Sequence, residues 1–196
     1  MATTTPTRAR ISAADRRELV VRAAARLFAT RGYGGTRLDD VAAAAGVTKP
    51  MVYRHFASKK ALYMALLEKH EADLPTFLER PAGAGGGEPR VRAILELWLD
   101  YVRENQHAWL MLFRDSSGDE EIQALRQRVT RRAREVMAAF VATRAGDRIP
   151  PEQVEPTAEL LRTGLAGLAL WWIDHPDVPQ EVVVEASVRF AATVLA

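Results

Sequence analysis

The segment 36–56, TRLDDVAAAAGVTKPMVYRHF, sets a glycine between two short runs with apolar residues at helical spacing. Leu38, Val41 and Ala42 share one face of the first run, and Val52 and Phe56 share one face of the second. Neither run is long enough to hold as an isolated helix, so both must close on a common core. The preceding stretch supplies the third side, with Val20, Ala24, Leu27 and Phe28 along one helical stripe. Val47 lies in the turn, and Gly46 suits the left-handed backbone that ends a helix there. Two short helices with one locked apolar face leave the N-terminal side chains of the second helix free. That is the recipe of a helix-turn-helix.

Helix signals continue to the end of the chain. Ser12 with Asp15 forms a capping box that opens a helix to about Arg31, stopped by Gly32. Thr36 with Asp39 predicts a second capping box, Thr48 a third N-cap that tolerates Pro50 in its first turn, and Ser58 a fourth, leading a helix to about Arg80. The Gly- and Pro-rich stretch 81–89 reads as a loop. Further helices are expected over 91–105, 107–114, 119–145 with Gly146 beyond it, 152–174 and 180–195. Strand patterning is nearly absent, so the class is all-α with about nine helices. The expected organisation is a disordered arm over 1–11, a three-helix helix-turn-helix DNA-binding domain over 12–58, and a larger helical effector-binding and dimerisation domain over 59–196.

Charge separates along the same line. Residues 1–60 carry twelve Lys and Arg against four acids, a net of +8, while residues 61–196 carry a net of −6. A basic head on an acidic body implies a polyanionic partner for the head alone. The chain has no cysteine, which rules out disulfides, thiolate metal sites and cysteine nucleophiles and fits a reducing cytoplasm. No apolar run approaches the roughly 18 residues of a membrane span, and the polar start lacks the apolar stretch of a signal peptide. No Gly-rich phosphate loop follows a strand, and no two histidines have metal-ligand spacing. Ser116, Ser117 and His107 show no nucleophile–base motif. No enzyme, metal or cofactor is expected.

Leu27-Phe28, Gly32-Tyr33, Thr36, Leu38, Val41-Ala42, Ala45-Gly46-Val47-Thr48, Tyr53, Phe56, Ser58-Lys59 and Leu62 follow one another without a gap. Over these residues the chain resembles the N-terminal domain of the TetR family of regulators. The resemblance implies that Tyr53, Lys59 and Thr36 contact DNA phosphates, Lys59 beside the free N–H groups of a helix start. Base reading then falls to the start of the second helix: Thr48, Lys49, Pro50 and Met51, with Arg54 and His55 further along. Arg37 is placed to touch backbone or base. Two positions depart from the family pattern: Lys60 stands where an acid is common, and Pro50 where a small residue is usual.

For the body, the resemblance implies a small-molecule pocket and a dimer face. Large aromatics concentrate there, and Trp98, Tyr101, Trp109, Phe113 and Trp171 are candidate pocket walls, with Arg162, Arg114 and His107 as polar anchors. Ordinary core packing is the competing reading of each. Leu161, Gly164, Leu168 and Trp172, with Val183 and Phe190, are candidates for a four-helix interface between two copies. The arginines 126, 128, 131, 132 and 134 read as a solvated face paired within its own helix. The expected protein is a homodimeric repressor of a palindromic double-stranded operator, with recognition helices about 34 Å apart, released by a small-molecule effector. Control by a protein partner, or activation, is the alternative.

Overall fold

The computed structural model describes residues 12–73, 87–114 and 119–195, so the arm over 1–11, the rest of the expected fourth helix over 74–80, most of the expected loop and Ser116-Ser117 lie outside it. Among the described residues there are nine α-helices, a short 3-10 turn and no strand. They are α1 Ala13–Gly35, α2 Leu38–Ala45, α3 Lys49–His55, α4 Lys59–Asp73, α5 Glu88–Glu104, α6 Gln106–Arg114, α7 Glu120–Ala145, α8 Pro151–Asp174 and α9 Gln180–Leu195.

The caps explain most of the boundaries. The Ser12–Asp15 box closes as expected, with Asp15 N–H donating to Ser12 Oγ at 3.1 Å and Ser12 N–H to Asp15 Oδ2 at 3.2 Å. Gly32 breaks α1 at φ 68°, ψ 173°, after which one more helical turn reaches Gly35. Gly46 ends α2 at φ 66°, ψ 29°, the left-handed cap that turns the chain into α3. Ser58 Oγ accepts from Ala61 N–H at 3.0 Å and so opens α4. Asp119 caps α7 through Glu121 and Ile122 N–H.

Two expected caps are absent. Arg37, not Thr36, is the N-cap of α2, with no side-chain bond; Thr36 is buried and its hydroxyl donates back to Gly32 C=O at 2.9 Å. The break at Gly32 draws the threonine inward. Thr48 stands at the N-cap of α3, but its side chain makes no capping bond. The expected helix at Val91 starts earlier, at Glu88; Pro89 fits its first turn because that N–H needs no helical partner.

The largest core does not stop at residue 58. Val20, Phe28, Val41 and Val52 of the head pack in one cluster with Leu62, Tyr63 and Leu67 of α4, Met111 of α6, and Ile122, Leu125 and Val129 of α7. Tyr63 is fully buried at its centre, edge-on to Phe28 at 4.9 Å and to Tyr33 at 5.1 Å. A second cluster joins α5, α8 and α9 through Leu99, Trp172, Val183, Val184 and Val188. Smaller clusters link Val102 and Trp109 to α8, and Val141 of α7 to Leu161.

Candidate DNA-binding interface and effector cavity

The recognition element is α3. Its inner face is fixed by Val52, which is fully buried, and Phe56 just beyond its end, over which the Arg17 guanidinium lies at 5.1 Å. Thr48, Lys49, Pro50, Tyr53 and Arg54 are exposed, Tyr53 by 48%. Arg37, ahead of α2, is exposed as well. Met51 and His55 are half-buried, and His55 Nε2 is enclosed without a hydrogen-bond partner. Lys49 Nζ pairs with Asp39 at 2.8 Å, and that contact holds the ammonium above its ordinary pKa. An exposed pair of this kind is worth little, so it yields readily to a stronger anion.

Two residues expected at phosphates make hydrogen bonds within the chain itself. The Thr36 hydroxyl is buried, as described above. Lys59 Nζ donates to Tyr33 C=O at 2.8 Å and Thr36 C=O at 3.1 Å, and lies 4.4 Å from the centre of the Tyr33 ring. Its charge closes the end of α1 instead of projecting outward. Lys60, which departs from the family pattern, reaches Asp119 at 3.4 Å and Glu121 at 3.0 Å at the start of α7. It therefore fastens the start of α4 to the start of α7.

A second polar contact joins α4, α6 and α7. Arg126 Nη2 donates to Tyr63 Oη at 2.6 Å and to Met111 C=O at 3.0 Å, so this arginine enters the core between α4 and α6. The other arginines of the run depart from the expected pattern too. Arg128 pairs with Glu71 of α4 at 3.0 Å and Arg134 with Glu159 of α8 at 3.1 Å, while only Arg132 finds its partner, Glu135, within α7. At the far end of α4, buried His70 meets the Tyr101 hydroxyl through Nδ1, and that hydroxyl donates to Asp73 at 3.2 Å. Burial, and next the Lys69 charge, push His70 down to about 4; burial raises Tyr101.

Between α5, α6, α7 and α8 lies a cavity of about 120 Å³ with an open side. Trp98, Trp109, Phe113 and Arg162 line it, as the sequence predicts. Tyr101 and Trp171 do not: Tyr101 is tied to His70 and Asp73, and Trp171 is 45% exposed and stacked on His175 at 4.3 Å. Arg114 pairs with Asp174, and neither it nor His107 is on the wall. Sequence reasoning missed the strip Val129, Thr130, Ala133, Val136 and Met137 on α7. Its helical spacing was the available signal, obscured by the interleaved Arg131, Arg132 and Arg134.

The outer face of α8 and α9 is also rotated from expectation. Leu161, Trp172 and Val183 are buried inside the subunit, with Trp172 Nε1–H donating to Val178 C=O at 2.9 Å, and Leu168 packs half-buried beside them. Leu160 (67% exposed), Trp171, Val182 (55%) and Phe190 (44%) point outward instead, with exposed Gly164 and Gly167 between them.

A basic head that projects the start of one short helix from a glycine-turned pair is a helix-turn-helix DNA-binding domain. Residues 20–66 match the family model for bacterial regulatory proteins of the tetR family, and residues 88–194 match the tetracyclin repressor-like C-terminal domain. The chain belongs to the TetR family and is a DNA-binding transcription regulator. It is 26% identical to the HTH-type transcriptional activator FasR of Mycolicibacterium smegmatis, over 90% of this chain and 81% of FasR. It is 24% identical to the transcriptional repressor BepR of Brucella suis, over 96% of this chain and 94% of BepR. The crystal structure of a TetR-like regulator from Rhodococcus sp. RHA1 shares the fold with a TM-score of 0.72, at 24% identity over 93% of this chain and 96% of that one. These relatives are regulators, and none belongs to an enzyme family. No helix of the described residues is long and apolar enough to cross a membrane.

Proposed function

We propose that this chain is a cytoplasmic repressor that binds a palindromic operator as a homodimer and is released when a small molecule enters the body cavity. One observation carries the reading: Val129 lines the cavity and also belongs to the core that holds Val52 behind the recognition helix. A molecule that displaces Val129 perturbs the packing on which α3 is set. In this reading residues 12–58 are the DNA-binding unit and 59–196 the effector and dimerisation unit. Arg37, Thr48, Lys49, Pro50, Met51, Tyr53, Arg54 and His55 make the DNA contacts. Lys49 and Arg54 suit guanine acceptors, and Pro50 and Met51 suit a thymine methyl. The outward stripe of α8 and α9 supports a dimer, since four of the seven exposed large apolar residues lie on it.

Selection of DNA from a random pool with the purified full chain, followed by a compound screen for release, tests the proposal. A palindromic site bound by two chains and freed by a compound is the expected result. A site bound by one chain, or one that no cavity ligand affects, overturns it. The name of FasR favours a second reading, activation. Transcription in vitro from a promoter carrying the selected site separates the two: output falls on adding the protein if it represses and rises if it activates.

A further inference from the structure

Among the described residues the cavity wall is apolar except at Thr130, Arg162 and the indole N–H groups of Trp98 and Trp109. Trp109 is only 6% exposed, and its indole Nε1–H is buried without an acceptor. Such a donor is costly in a folded protein and is rare for that reason. The Arg162 side chain is 15% exposed. Glu159 takes its Nε at 2.9 Å and its Nη2 at 2.6 Å, and Nη2 also contacts the Thr163 hydroxyl at 3.2 Å. No hydrogen bond involves its Nη1 among the described residues. Among the described residues no carboxylate lines the cavity. Among the described side chains the polar part of the wall therefore offers donors, with the Thr130 hydroxyl as the one side-chain group able to accept.

Charge points the same way. Glu159 also accepts from Arg134 Nε at 3.1 Å, so one carboxylate serves two guanidiniums and the cluster carries a net positive charge. Hydrogen bonds from Arg162, then from Arg134, hold that carboxyl at about 2, and it stays ionised under any ordinary condition. An anion arriving at Arg162 leaves Glu159 with Arg134, so every charge keeps a partner. A cation meets the surplus positive charge, and a hydrocarbon leaves the Trp109 N–H unpaired. The space, about 120 Å³, is roughly ten times the ~10–15 Å³ that one water needs, so the cavity has room for a larger molecule.

We infer that the cavity takes an amphiphilic monoanion, an apolar body against Trp98, Phe113 and the α7 strip with one carboxylate received by Arg162 and an oxygen for the Trp109 N–H. This rests on the reading of the cavity as the effector site. The test titrates the full chain with hexanoate, decanoate and hexadecanoate, each beside its matched primary alcohol and amine, below micellar concentrations. Trp98 and Trp109 report binding by their fluorescence. Each carboxylate that binds is expected to bind at least tenfold tighter than its alcohol, with the amine weaker still. In Arg162→Met, which keeps the apolar stem, the carboxylate should fall to the level of the alcohol. Trp109→Phe should lose a smaller factor for both oxygen-bearing probes.

Equal binding of carboxylate and alcohol in the unaltered protein overturns the inference and leaves the cavity as a neutral-ligand site. Binding of no probe overturns the inference together with the cavity reading. Tight, Arg162-dependent carboxylate binding that leaves operator affinity unchanged supports the inference and overturns only the sensor role. The comparison within the unaltered protein decides the matter even where a variant fails to fold.

Discussion

Lys59 shows how one side chain can change roles between sequence and structure. At a helix start in a basic head it looks like a phosphate ligand, but the break at Gly32 leaves carbonyls at the end of α1, and the ammonium turns in to meet them. Lys59→Met is therefore expected to lower unfolding free energy by about 1–3 kcal/mol in urea denaturation. Tyr53→Phe, on an exposed ring, should leave stability alone while weakening operator binding; a reversed pattern would return Lys59 to the DNA. His70 gives a pH-dependent prediction. Its pKa in the folded chain, about 4, lies below the ordinary 6.5, so the unfolded chain takes up a proton first as pH falls. Stability present above pH 6.5 is lost between 6.5 and 4, on the order of 3 kcal/mol for the displacement. Denaturation midpoints at pH 7 and pH 5 measure this, and His70→Gln should flatten the difference.

At the scale of elements, the helix-turn-helix was legible because each short helix has one apolar face and one polar face. Five of the six core positions read from the sequence are buried, and Val47 packs partly against them. Helix α8 was not legible in the same way. Leu161, Leu168 and Trp172 form one stripe, and Leu160, Gly164, Gly167 and Trp171 form another one residue over. A helix apolar on both sides gives no sign of which side its own subunit covers. The structure separates them, and the stripes predict opposite phenotypes. Phe190→Asp or Leu160→Asp should yield folded monomers by sedimentation, whereas Trp172→Ala should cost about 3–5 kcal/mol of stability. If the outer changes unfold the chain or leave a dimer intact, the outward stripe is not the interface. At the turn of the head, a side chain at Gly46 would meet nothing within 4 Å, so Gly46→Ala isolates the backbone cost of φ 66°. A loss of about 1–2 kcal/mol is expected by thermal unfolding.

Across the whole molecule, head and body share one core, and two polar ties hold α4 beneath it: Lys60 with Asp119 and Glu121, and Arg126 with Tyr63 and Met111. Sequence spacing cannot show ties between helices sixty residues apart, since nothing local distinguishes Arg126 from its exposed neighbours. The cavity strip begins at Val129, one turn beyond Arg126, and on the proposed reading this arginine lies on the path from effector to recognition helix. Arg126→Met is expected to leave effector binding in place but to shrink its influence on operator affinity by about 5- to 10-fold, within the usual range of coupling energies. Fluorescence anisotropy of labelled operator, with and without effector, measures it; an unchanged ratio would move the coupling elsewhere. The internal pairing of the head's cations has a consequence for binding in electrolyte. Lys59 and Lys60 are held within the fold, Arg22 pairs with Glu18 and Arg31 with Asp40, and Lys49, whose exposed pair with Asp39 yields to a phosphate, stands with Arg37 and Arg54 beside the recognition helix. Counterions released by a dimer should number those of six side chains, a logarithmic slope of roughly −5 rather than the roughly −14 that the head's formal charge implies.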